Sequence, residues 1–257
     1  MRFVLPSLLA LAICHSAHAD LLYAMRGTVL HRLDTDTRIA SIVAHTGLPR
    51  VSSMTVVGNQ LVAVNLEGGI GQLTEIDPVT GDVSVIDELD FSVSLAMGLA
   101  AHDGELYGSS QQFSDIYRIT PGAPSTLIVE DFSLSVSGMD FDSDGTLWAL
   151  DGALSTKHLI KVNVNDGSTE IVSKNGLIEH GPMAAIAFGS SGRMWAIDGD
   201  TDELILIDTV TGTGQSVGVT TGWGNDRSIV GMTAVPAPSS LAVLGLSLMF
   251  AQRRRSR

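Results

Sequence analysis

Cysteine is nearly missing from this chain of 257 residues: Cys14 is the only one, and it sits in the first apolar stretch. A disulfide framework is therefore excluded, and so is thiol chemistry in any domain that follows. Positive charge is scarce as well. Lys and Arg together number 15 against 28 Asp and Glu, and within residues 20–235 the balance is 10 against 28, a formal charge of −18. Such a surface repels phosphate backbones, which excludes nucleic acid as an expected partner, while it attracts cations such as calcium. Charged residues make up only 17%, too few for long charged helices. Long hydrophobic runs are absent too. Residues 241–251 form an apolar stretch of 11, and a helix of that length reaches only about 16 Å of a ~30 Å hydrocarbon layer.

The two ends nevertheless carry signals. Arg2, the apolar residues 3–14 and Ala17-His18-Ala19 ahead of Asp20 form the three-part pattern of a secretory leader, cut after Ala19. Ile13 stands before Cys14 where a lipoprotein leader has a small residue. Cleavage removes the one cysteine, so packing alone must hold the domain. At the other end Pro236 and Pro238 stop any arriving strand. Counted from Val235 to Gln252, the tail has 18 residues, about 27 Å as a helix and marginal for a transmembrane helix. Arg253, Arg254, Arg255 and Arg257 follow, a cluster expected to stay on the cytoplasmic side. This tail resembles the PEP-CTERM sorting signal of Gram-negative bacteria, with Pro236-Ala237-Pro238, the apolar Leu244-Gly245-Leu246 and Arg253 to Arg255 in the family's order. Ala237 stands where the family usually has glutamate, and the apolar segment is short. The resemblance implies export by signal peptidase, transient anchoring in the inner membrane, cutting by an exosortase-like enzyme and release to the cell surface.

Between the signals the chain repeats. "VLHRLDTDTRIASIV", "IGQLTEIDPVTGDVSVI", "DIYRITPGAPSTLIV", "LIKVNVNDGSTEIV" and "ELILIDTVTGTGQSV" each read as strand, polar turn, strand. The apolar residue before the turn falls at Leu33, Ile76, Ile119, Val162 and Ile207, spaced by 43, 43, 43 and 45. A second hairpin series interleaves with it at "SMTVVGNQLVAV", "GLAAHDGELYGS", "GMDFDSDGTLWAL" and "AIAFGSSGRMWAI". Four strands in about 43 residues is the length of a propeller blade. The expected fold is therefore an all-β, five-bladed β-propeller of four-stranded antiparallel blades over residues 20–235, with residues 1–19 as leader and 236–257 as sorting segment. "LLYAMRG" at the start and "GMTAV" at the end are parts of one blade, so N-terminal strands and a C-terminal strand close the ring. Phrases such as "DFDSDGTLWALD" resemble exported bacterial propellers with NHL-like or quinoprotein-like blades, a class that includes enzymes, lectins and scaffolds.

Candidate chemistry is sparse. Asp140, Asp142 and Asp144 alternate ahead of Gly145, as in the first half of a calcium loop, yet the same slot in other repeats is an ordinary hairpin turn. Tyr23, Tyr107, Trp148 and Trp195 share one repeat position, as expected of packing between blades. Trp223 falls outside the repeat, in "TGWGNDR", where its ring beside Asn225, Asp226 and Arg227 suits a sugar or another polar ligand. Connections from one blade to the next are the long ones, and this places ligand binding on the face that also holds Glu67 and Asp151. Gluconolactonase-like propellers hold a divalent metal with a Glu, Asn and Asp set, which here would be Glu67, Asn225 and Asp151. No serine elbow, phosphate loop or cofactor fingerprint is present. The leading expectation is a surface-associated, non-catalytic module that binds a glycan or a surface protein. A metal-dependent hydrolase with its site in the channel and a structural matrix component stand as alternatives.

Overall fold

The computed structural model describes residues 19–93, 97–110, 115–130, 135–151, 157–174, 176–183, 185–224 and 229–235. Leader residues 1–18, the sorting residues Pro236, Pro238 and Arg253 to Arg255, and Asn225, Asp226 and Arg227 lie outside them. Every described element is a β-strand. Blade 1 holds β1 (Leu21–Arg26), β2 (Val29–Asp34) and β3 (Ile39–His45), and blade 2 holds β4 (Val51–Val57), β5 (Gln60–Glu67), β6 (Ile70–Ile76) and β7 (Val83–Glu88). Blade 3 is β8 (Leu99–His102), β9 (Glu105–Ser110), β10 (Asp115–Ile119) and β11 (Thr126–Val129). Blade 4 is β12 (Val136–Phe141), β13 (Leu147–Asp151), β14 (Leu159–Val162) and β15 (Thr169–Ser173). Blade 5 is β16 (Ile186–Phe188), β17 (Met194–Ile197), β18 (Glu203–Ile207) and β19 (Gly214–Val219), and β20 (Ile229–Ala234) returns to blade 1 in the order β20-β1-β2-β3.

The ring closes as the sequence indicates. β20 pairs antiparallel with β1, with Leu22 opposite Ala234 and Ala24 opposite Met232. The innermost strands β20, β4, β8, β12 and β16 then touch in a complete circle. Among the described residues the buried side chains form five clusters, each shared by neighbouring blades: Met25 and Leu30 of blade 1 pack on Met54 and Leu61 of blade 2, and Leu22 and Leu33 pack on Trp195 and Leu204 of blade 5. Each fully buried Leu or Met in such a seam contributes about 1.5–3 kcal/mol. The repeat residues Leu33, Ile76, Ile119, Val162 and Ile207 are all buried at the ends of the third strands.

Five wedges can meet only if the innermost strands approach closely, and one position shows it. A Cβ on Gly138 would stand 2.8 Å from the Ile186 nitrogen, one on Gly231 would stand 2.9 Å from the Met54 nitrogen, and one on Gly98 would stand 2.4 Å from Met139 Cγ. Ser53 and Ala185 fill the same place in the remaining blades. A column of small residues is thus a geometric requirement of the ring.

Turns after the third strands are closed by side chains. Asp34, Asp77, Asn163 and Asp208 each accept an N–H from two residues onward, at 3.0, 2.7, 3.0 and 2.8 Å. Thr120 replaces the acceptor in blade 3, and blade 2 compensates: Gly122 N–H donates to Asp87 Oδ2 at 2.7 Å and Ser125 N–H to Asp90 Oδ2 at 2.9 Å.

A second loan of this kind joins blades 1 and 5. Asp20, wholly buried, lies where the Cβ of Gly189 would be; that atom would come within 2.1 Å of Asp20 Cγ. Its Oδ1 accepts the Ser191 N–H at 2.7 Å, its Oδ2 accepts Trp195 Nε1–H at 2.9 Å, and Arg193 Nη2 lies 3.2 Å away. Burial pulls this carboxyl upward, but bonds from Ser191 and Trp195 together with the Arg193 charge outweigh it and hold it below the usual range.

Candidate functional site

An antiparallel four-stranded blade sends its first and third connections out at one end and its second connection, with the link to the next blade, out at the other. The ring therefore has a hairpin face and a loop face, and they differ in construction.

On the loop face the second strands end in a ring of polar residues at one repeat position: Arg26, Asn65, Ser110, Asp151 and Asp198, each at most 4% exposed. Those with assigned partners mostly fasten the connections. Asn65 Oδ1 accepts the Arg50 N–H at 3.3 Å, and Asp198 accepts the N–H groups of Gly181, Asp200 and Thr201. Burial raises the Asp198 carboxyl and these three donors overcome it, so its pKa lies below the usual value. Arg26 forms a two-pronged pair with Asp202 of blade 5, both arms at 3.2 Å. Asp151 Oδ2 lies 3.2 Å from His158 Nδ1, and Lys157 Nζ donates to the His180 carbonyl.

Trp223 belongs to this clamp. It is 5% exposed, its indole N–H donates to Thr220 Oγ1 at 2.6 Å, and its ring meets His31 edge-on with the centroids 5.2 Å apart. The Arg26 guanidinium lies 5.6 Å from its centroid. The ring is spent on anchoring the 220–224 segment and presents no face for sugar stacking. Glu67 is exposed at the end of β5, and Asp151 is buried against His158 in blade 4.

On the hairpin face Asp142 serves its own turn. Its Oδ1 accepts the N–H groups of Asp144 and Thr146 at 3.0 and 2.9 Å, and its Oδ2 accepts Trp148 Nε1–H at 2.8 Å. Asp140 points elsewhere, toward β16, and Asp144 is exposed. The three aspartates do not converge, and among the described residues no three His, Cys, Asp or Glu side chains form a group able to hold a metal. Sequence periodicity could not reveal this, because it is silent on which carboxylates a tight turn consumes.

Tyr107, Trp148 and Trp195 are buried between blades, as expected for packing. Their polar tips reach Glu105, Asp142 and Asp20.

The feature that sequence reasoning missed is the mouth of the central channel on the hairpin face. A recess of about 370 Å³ opens there, walled by all five innermost strands: Thr55 and Val56 from β4, Ala101 from β8, Asp140 and Phe141 from β12, Phe188 from β16, and Thr233 and Ala234 from β20. Gly58 and Asn59 form its rim. Phe188 N–H donates to Asp140 Oδ2 at 2.7 Å and Phe141 N–H to Oδ1 at 2.9 Å. Burial within the ring still dominates and pushes the Asp140 carboxyl up to about 7. The available signal was a column: the position held by Thr55, Ala100, Ala187 and Thr233 in other repeats is filled in blade 4 by an acid.

The fold and this geometry define the class, a five-bladed β-propeller. No protein-family model matches the chain, and no curated protein sequence matches it. Solved structures do. A chain of a nidogen–laminin complex is similar with a TM-score of 0.61 at 12% identity, covering 84% of this chain and 98% of that one. A protein described as TolB from Agrobacterium tumefaciens is similar with a TM-score of 0.53 at 14% identity, covering 85% and 87%. At these identities the likeness shows the fold and leaves function to the residues. Among the described residues no helix is long and apolar enough to cross a membrane.

Proposed function

We propose that this protein is an exported, non-catalytic binding module of a Gram-negative cell surface, and that it takes its ligand at the channel mouth of the hairpin face. The observation that carries this reading is the recess itself. Its volume of about 370 Å³ falls in the range of small-ligand sites, and a rigid closed ring holds its wall of two Phe, two Thr and one Asp in place. Among the described lining residues Asp140 alone ionises. Export rests on the leader at residues 1–19 and the PEP-CTERM-like tail, which imply signal peptidase, transient inner-membrane anchoring and an exosortase-like enzyme as processing partners. A glycan end group or an exposed side chain of a surface protein fits the opening. Calcium has no built site in the 140–145 turn, whose central carboxylate is already engaged. A metal-dependent hydrolase is less well supported, since Glu67 is exposed and Asp151 is occupied by His158. Thermal-shift screening of the purified protein against glycans and divalent cations tests the reading. A glycan shift that a Phe188→Ala variant loses supports it. A divalent-cation shift accompanied by ester or lactone hydrolysis overturns it.

A further inference from the structure

We infer that the channel mouth selects an organic cation, an ammonium or guanidinium group carried on a small apolar body. This rests on the reading of the mouth as the binding site and adds the ligand's charge. The five innermost strands carry just two titratable side chains, Asp140 and His102. His102 stacks on Phe141 with centroids 5.0 Å apart, and its Nε2 lies 3.5 Å from an Asp103 carboxylate oxygen. Asp142 is turned into its own hairpin, and Arg193 is committed to Asp20 on the neighbouring hairpin. The Asp140 carboxylate therefore faces the recess with two main-chain donors and no cation among the described residues that line it.

Each carboxylate oxygen keeps acceptor capacity beyond the one N–H it already receives. Phe141 and Phe188, seated in the blade seams against Tyr107 and Trp148, line the recess and give an apolar wall for the ligand's body. Thr55 and Thr233 add hydroxyl acceptors for the remaining N–H groups of an ammonium. The surrounding domain, at −18, draws cations toward the opening. The upward-shifted carboxyl agrees with this: a bound cation would restore the ionised form that burial disfavours.

The test uses benzylammonium, with benzyl alcohol as its neutral counterpart, titrated into the full protein while the Phe141 and Phe188 amide resonances are followed. Saturable shifts with benzylammonium, at least tenfold weaker for the alcohol and at least tenfold weaker in Asp140→Asn, are expected. Because Asp140→Asn disturbs two main-chain bonds, Asn59→Lys is the second variant. It leaves Asp140 intact, sets a positive charge on the exposed rim and is expected to weaken benzylammonium at least tenfold without lowering Tm. Equal binding of amine and alcohol overturns the cation preference while leaving the mouth as a site. Absence of any shift with both probes overturns the preference as well. The mouth is then judged separately, by whether the Phe188→Ala variant keeps its glycan shift.

Discussion

The first hairpins of blades 4 and 5 have the same main-chain pattern and solve one problem in two ways. In both, the turn closes with matching bonds, Asp142 N–H to the Thr146 carbonyl at 3.1 Å and Gly189 N–H to the Arg193 carbonyl at 2.8 Å. In both, a tryptophan two residues beyond the turn needs an acceptor for its indole N–H. Blade 4 uses Asp142, from within the hairpin. Blade 5 has Gly189 in that place, and Asp20 reaches in from blade 1. An interaction that is local in one blade has become the bond between the first and last blades to be made. The lesson is that closure here has two layers, the β20–β1 pairing and a carboxylate clasp on the hairpin face.

The largest expected effect comes from breaking that clasp. Asp20→Ala leaves Arg193, Trp195 and Ser191 without their acceptor and should cost about 3 kcal/mol, roughly 6–12 °C in Tm by calorimetry. Adding Gly189→Asp to that variant gives blade 5 the arrangement of blade 4 and should recover more than half of the loss; no recovery would refute the equivalence. Gly138→Val attacks the ring contact common to all blades. It should cost about 2 kcal/mol in urea unfolding, through overpacking against blade 5. Asp142→Ala should cost about 1–2 kcal/mol, less than Asp20→Ala, because it frees three donors without stranding a charge. A further signal is in pH. Asp20 titrates below its ordinary value of 3.8, so its contribution is complete above that pH and is lost as pH falls through the lowered folded value. Asp140 runs the other way: raised to about 7, it binds a proton in the fold that the unfolded chain has released above 3.8, so stability declines between those values as pH rises. Asp140→Asn should therefore gain in Tm relative to the natural chain between pH 5 and pH 8, and an unchanged difference would sink this assignment.

The repeat was legible because one geometric demand recurs five times. Leu33, Ile76, Ile119, Val162 and Ile207 announce the third strands, and "GMTAV" announces the closing strand. The small-residue column at Ser53, Gly98, Gly138, Ala185 and Gly231 stands in the same register and states how tightly the ring is drawn. The loop face is harder to read, for a physical reason. Long connections rich in Asp, Asn and Trp look like ligand-binding loops, yet Asn65, Asp198 and Trp223 are occupied in holding those connections down. In the sequence Asp20 reads only as the residue after a cleavage site. Its partners lie about 170 residues away, and no local pattern reports a bond of that span.

The chain enters and leaves the ring at one spot. Leu21 accepts the Val235 N–H at 2.9 Å, and Thr233 and Ala234 are themselves part of the wall of the recess. Whatever tethers the molecule by either terminus therefore pulls at the lip of the opening and orients it toward the anchoring surface, while the loop face looks outward. On the proposed sorting of the tail, a cut just past Val235 would free the whole disc to turn over and open the cavity to its surroundings.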